Sequence, residues 1–73
     1  MTPHNDAIRL LDVVALIDDL PDGRLLRGQV GTVVEELAPG VFEVEFADDE
    51  GRTYAQLALD GSLLMVLRYR LAA

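Results

Sequence analysis

The chain contains no cysteine, no tryptophan and no lysine. Without cysteine, neither a disulfide framework nor a zinc site built on thiolates can stabilise so short a chain. The 73 residues form a single domain, and a domain of this size buries only about 60% of the surface that its unfolded chain exposes. Apolar packing or self-association must therefore supply the stability.

Positive charge is also scarce. Six basic residues face thirteen acidic ones, which gives a formal net charge of −7. Such a charge repels the phosphate backbone of nucleic acids and favours a basic partner. All six basic residues are arginine, as expected either of a GC-rich genome or of an interface where arginine contacts carboxylates. Nucleic acid is thus a disfavoured partner.

Long apolar runs and targeting signals are absent. No stretch approaches the roughly 18 apolar residues that a membrane-spanning helix needs. Residues 1–6 lack the basic start and the apolar segment of a signal peptide. We therefore expect a cytoplasmic protein without a membrane partner, with a flexible leader at 1–9, one domain at 10–70 and a tail at 71–73.

The residues needed for covalent or metal chemistry are poorly represented. His4 is the only histidine and lies in the predicted leader, so it has neither a cysteine nor a second histidine to complete a transition-metal site. Thr32, Thr53 and Ser62 have no histidine from the structured part of the chain to activate them. We expect no catalytic residues, no metal site and no cofactor.

Five segments have strand character and are separated by turn signals. They are residues 11–17, 29–36, 41–46, 52–59 and 63–67. The third is the clearest, because Phe42, Val44 and Phe46 alternate with glutamates and should face the core. The fifth is apolar at five successive positions, so either both of its faces are covered or it is helical, and its length favours a strand. The pattern predicts an all-β fold, a small, strongly bent antiparallel barrel.

Two glycines open the second strand. Gly28 permits the positive φ of a tight bend, and Gly31 leaves room for a neighbouring backbone. They do not form a phosphate cradle, because no lysine follows and no helix begins there. Their predicted use is structural.

Residues 12–16, 26–35, 42–46 and 51–55 resemble a family of short bacterial proteins known only as a domain of unknown function. The resemblance covers about residues 10–67, and its most specific part is the Gly-x-x-Gly-Thr-Val-Val core that begins at Gly28. The same core is similar to SH3-like barrels of the KOW type. The resemblance implies a five-stranded SH3-like antiparallel barrel and suggests an antitoxin or immunity role. It implies no established activity.

The chain departs from KOW domains that bind RNA, because acids replace their basic loops. Asp18, Asp19 and Asp22 lie in the first of these loops, which SH3-like barrels commonly use for recognition. With Arg52 and Tyr54 they form the predicted surface for a basic, toxin-like protein partner. The plain alternatives are a solvated turn for the aspartates and, for Arg52 and Tyr54, an edge strand guarded by charge.

Two other functions remain open. The unbroken apolar segment favours a self-assembling homo-oligomer, whose interface consists of Leu63, Leu64, Met65, Val66 and Leu67. A weaker alternative is an RNA-binding barrel that uses Arg52, Tyr54, Arg68 and Tyr69 to grip the backbone and stack bases.

Overall fold

The computed structural model describes residues 7–69. The strands of this part are β1 (Val13–Leu16), β2 (Val30–Ala38), β3 (Val41–Ala47), β4 (Thr53–Asp60) and β5 (Leu64–Val66). They form one antiparallel sheet in the order β4-β3-β2-β1-β5. The predicted all-β, five-stranded antiparallel fold is confirmed. His4, Arg70 and the predicted tail lie outside the described residues.

The start of the fifth strand differs from the prediction. Residues Gly61–Leu63 form a 3-10 turn, because the Asp60 carboxylate accepts a hydrogen bond of 2.9 Å from the Ser62 backbone N–H. The strand therefore begins at Leu64. It also alternates, with Leu64 buried and Met65 52% exposed, so the expectation that both faces of this segment are covered is wrong for the single chain.

The core lies on one face of the sheet. Phe42, Val44 and Phe46 of β3 are buried, and the glutamates between them are only half-buried, as the alternation predicted. Leu20 and Leu25, from the loop between β1 and β2, are buried in the same cluster. The other members of this core cluster are Val14, Leu16, Val33, Leu59 and Leu64. Burial of these side chains is the main favourable contribution to folding.

The described chain begins to pack before β1. Ile8, inside the predicted leader, is half-buried and contacts the core cluster. The only helical piece of residues 7–69 is the 3-10 turn. No helix in this part of the chain is long and apolar enough to cross a membrane.

Gly31 lies on β2 at a point where β3 approaches closely. It pairs with Val14 of β1 on one side and with Phe46 of β3 on the other. A Cβ atom on Gly31 would lie 2.7 Å from the Val44 Cγ1 atom and 2.9 Å from the Glu45 carbonyl oxygen. Both distances are well inside normal van der Waals contact. Only glycine fits this position without displacing β3.

The bend before β2 has a different requirement. Gly28 has a φ of +91°, and its N–H donates a hydrogen bond of 2.8 Å to the Leu16 carbonyl oxygen. A Cβ here would meet no atom within 4 Å. Gly28 is thus favoured by backbone conformation, whereas Gly31 is required by space.

These two glycines predict different losses of stability. Gly31→Ala should lower the free energy of unfolding by about 2 to 3 kcal/mol, because the methyl group overpacks the sheet, and Gly31→Val should lower it further. Gly28→Ala is the control, with an expected loss of about 1 kcal/mol from backbone strain alone. Urea unfolding measures all three. A melting temperature unchanged by Gly31→Val would contradict the close approach.

Candidate interaction surface

The loop between β1 and β2 carries all three predicted partner-binding acids, and we call it the acidic loop. The Asp19 carboxylate accepts a hydrogen bond of 2.8 Å from the Arg27 backbone N–H. Asp22 accepts bonds of 2.9 Å from the Arg24 backbone N–H and 2.7 Å from the Arg24 Nε–H. The Asp18 side chain has no hydrogen bond or ion pair within residues 7–69. Two of the three acids therefore hold the loop in shape.

The bonds at Asp22 change its acidity. The Arg24 backbone N–H, followed by the Arg24 guanidinium, holds the pKa of the Asp22 carboxyl below its ordinary value. The Ser62 backbone N–H lowers the pKa of Asp60 in the same way. Both carboxylates are exposed acceptors that stabilise a local turn.

The hairpin between β3 and β4 also satisfies its own charges. Asp48 accepts hydrogen bonds of 2.9 Å from the backbone N–H groups of Glu50 and Arg52. The Arg52 guanidinium lies 3.5 Å from an Asp48 carboxylate oxygen and pairs with Glu50 as well. No three acids or histidines within residues 7–69 are grouped so that they hold a metal ion. Arg52 is therefore engaged within its own hairpin.

Tyr54 lies at an irregularity of the edge strand β4. Ala55 pairs with Phe46 and Thr53 pairs with Ala47, which leaves Tyr54 as the extra residue of a bulge. Its hydroxyl accepts a hydrogen bond of 3.1 Å from Gln29 Nε2. The bond joins the start of β4 to the end of the acidic loop, so the structure connects Tyr54 with that loop through Gln29. The weaker RNA-binding prediction also named Arg68 and Tyr69. Both lie within residues 7–69, and Tyr69 is exposed. Arg70 lies outside the described residues.

Apolar side chains remain on the outer face of the sheet, opposite the core. Ala15 pairs with Met65 on one side and with Val30 on the other, so the three lie in one row across β5, β1 and β2. Met65 is 52% exposed and Val30 43%, whereas Ala15 between them is 6% exposed. We call Met65, Ala15 and Val30 the outer apolar row. Ile17, the residue that follows the end of β1, is also exposed.

The same face becomes acidic on β2 and β3. Glu35 pairs with Glu43, and Glu45 lies two residues further along β3. The Glu43 carboxylate accepts a hydrogen bond of 2.9 Å from Gln56 Nε2, and Glu45 accepts one from the Thr53 hydroxyl. These donors are neutral, so the bonds leave the negative charges in place. We call Glu35, Glu43 and Glu45 the outer acidic cluster.

Sequence reasoning missed a strained turn before β1. Leu11 has a φ of +71°, and the Asp12 N–H donates a hydrogen bond of 3.0 Å to the Arg9 carbonyl oxygen. This geometry puts leucine at the third position of a turn that favours glycine or asparagine there. Leu10 and Leu11 are 62% and 70% exposed. The pattern predicted a strand from residue 11, because neither leucine carries a turn signal.

These features define a class: a small all-β domain with self-stabilised acidic loops and a sheet whose outer face is partly apolar and partly acidic. The chain belongs to the family described as "Domain of unknown function (DUF4926)", which matches residues 10–66. The predicted membership of a family of unknown function is confirmed. No curated protein matches the chain, and no solved structure matches it.

The turn at Leu11 predicts a stabilising substitution. Leu11→Gly should raise the free energy of unfolding by about 0.5 to 1 kcal/mol, because relief of the left-handed strain exceeds the entropy cost of glycine. Leu10→Gly, at the neighbouring and similarly exposed position, should give no gain. Thermal and urea unfolding measure both variants. If Leu11→Gly lost as much stability as Leu10→Gly, the claim that the Leu11 backbone is strained would be wrong.

The bonds at Asp22 predict a pH dependence. Since its pKa is lower in the folded chain, this group stabilises the fold above the ordinary aspartate pKa of about 3.9. That contribution is lost as pH falls through the lowered pKa. In a carbon-13 NMR titration, Arg24→Ala should raise the Asp22 midpoint only part of the way, because the backbone N–H remains. Arg27→Ala removes an equal charge from the same loop and should leave the Asp22 midpoint unchanged. Equal effects of the two variants would show that the Arg24 side chain has no specific influence on the pKa of Asp22.

Proposed function

We propose that the protein is a non-enzymatic binding module for a basic protein and that it acts in the cytoplasm. The observation that carries this proposal is the outer face of the sheet, where the exposed side chains of Met65 and Val30 lie on the same face as carboxylates that have only neutral donors. The net charge of −7 adds long-range attraction for a basic surface. An apolar contact bordered by such charges suits protein recognition.

The proposal includes an SH3-like barrel. Three features support it: β5 returns to pair with β1, the strand order is β4-β3-β2-β1-β5, and register shifts interrupt the β2–β3 and β3–β4 ladders. Such bulges bend and twist strands, so they coil a five-stranded sheet around its core.

Several positions support binding over catalysis. Thr53, a hydroxyl candidate, donates to Glu45 on the outer face of the sheet. No polar or charged side chain is buried within residues 7–69. Catalytic acids and bases are commonly tuned by burial, and this part of the chain offers none in such an environment.

The family that the chain resembles has a suggested antitoxin or immunity role, and this role specifies the kind of partner. The partner is then a toxin-like protein with a basic surface, and the module occludes that surface. The acid excess, thirteen acidic against six basic residues, has the sign that such a partner requires.

Self-assembly is the second candidate, and the exposure of Met65 within the segment Leu63–Leu67 favours it. The negative charge of each copy opposes it. RNA binding is the weakest candidate, because Arg52 already pairs with Asp48 and Glu50.

Light scattering coupled to size exclusion tests the proposed function, with the protein alone and co-expressed with the product of its adjacent gene. We expect a monomer alone and a heteromeric mass after co-expression. The complex should weaken at high salt, because exposed charges are screened. A homo-oligomeric mass that co-expression leaves unchanged would contradict the binding module and favour self-assembly.

A further inference from the structure

We infer that the basic partner docks on the outer apolar row, Met65, Ala15 and Val30, with Glu43 and Glu45 holding its cations. This inference rests on the proposed function and names its surface. It moves the binding surface from the acidic loop to the outer face of the sheet. The occupant is a basic amphipathic segment of another protein.

The loops are less suitable for docking because several of their carboxylates already shape the loops, although the Asp18 side chain does not. Asp19 and Asp22 accept bonds from Arg27 and Arg24 within the β1–β2 loop. Asp48 does the same for the backbone of its hairpin and for Arg52. A partner that recruited these carboxylates would compete with the bonds that shape both loops.

The dimensions of the outer face fit one amphipathic segment. Neighbouring strands are about 4.8 Å apart, so the row from Met65 to Val30 spans about 10 Å. Glu45 lies on the next strand, opposite Thr32, which is two residues along β2 from Val30. An α-helix with its side chains is about 10–12 Å across. A helix with one apolar and one basic side therefore covers the row while its cations reach Glu43 and Glu45.

Charge decides between this occupant and a second copy of the chain. A two-fold dimer would place the same patch on both sides of the interface. Both copies would then bring their outer acidic clusters to one interface, with no added cation to offset the repulsion. A basic segment instead supplies the missing charge, so the face is complementary to a basic partner and not to itself.

An NMR titration tests this docking surface on the intact protein. The probe is a peptide of about 18 residues, made of leucine and lysine and patterned so that the leucines form one face of a helix. Its amide shift changes should concentrate at Val13, Ala15, Val30 and Met65. A peptide with serine for leucine carries the same charge and should bind at least about tenfold more weakly.

Two variants and a matched control show whether the peptide contacts the outer apolar row or responds only to the added positive charge. Val30→Arg and Met65→Arg place a cation on exposed positions of the row, and each should weaken binding of the leucine-lysine peptide at least about tenfold. Leu37→Arg adds the same charge at a similarly exposed site, since Leu37 is 46% exposed on the β2–β3 hairpin. Its binding should change far less. The amide spectrum of each variant shows whether it is folded.

The outcomes distinguish this inference from the proposed function. Shift changes confined to Asp18–Asp22, or equal weakening by all three arginine variants, would overturn the docking surface and leave a basic partner possible elsewhere. A homodimer that Met65→Arg dissociates would assign the row to a second copy and also overturn it. Lack of any complex with the co-expressed partner would contradict the proposed function itself.

Discussion

The close approach of β3 to Gly31 is the constraint on which the middle of the sheet depends. Gly31 pairs with Val14 and Phe46, both of which are fully buried. A side chain at this position would collide with Val44 and with the Glu45 backbone, so β3 would have to shift. Because the chain has no disulfide, such a loss at the centre of the sheet has no covalent compensation.

The same packing leaves an outer face that the core does not use. Residues of β1 alternate, so Val14 and Leu16 point to the core while Ala15 lies between Met65 and Val30. Within residues 7–69 the strands form one sheet, and no second layer covers that face. Exposed apolar area on a sheet invites association, and the neighbouring glutamates restrict which partners are suitable.

Acidic residues perform two distinct tasks in this protein. Asp22 and Asp60 accept backbone hydrogen bonds and shape turns, and their lowered pKa values reflect those bonds. Glu43 and Glu45 stand on a regular strand and shape no turn. Each of these residues contributes the same charge to the net charge. Only the hydrogen bonds around each carboxylate distinguish the acids that shape turns from the acids that are available to a partner.

Much of the fold follows from local sequence patterns. Alternation identified the buried face of β3, and the apolar and turn signals placed the other strands approximately. Local pattern does not show that Asp60 caps a 3-10 turn or that Leu11 adopts a positive φ, because these depend on contacts around each residue.

The candidate surface was less predictable. The acidic loop was evident, but its internal bonds were not. The row of Met65, Ala15 and Val30 joins residues far apart in the chain, and only the strand register reveals it.

Photo-crosslinking in cells tests the docking account most directly. A benzophenone side chain replaces Met65 in one sample and Leu37 in another, and mass spectrometry identifies the captured protein. The account predicts that the Met65 position captures a basic protein distinct from this chain and that the Leu37 position does not. Capture of a second copy of this chain at Met65, or equal capture of the same protein at both positions, would contradict it.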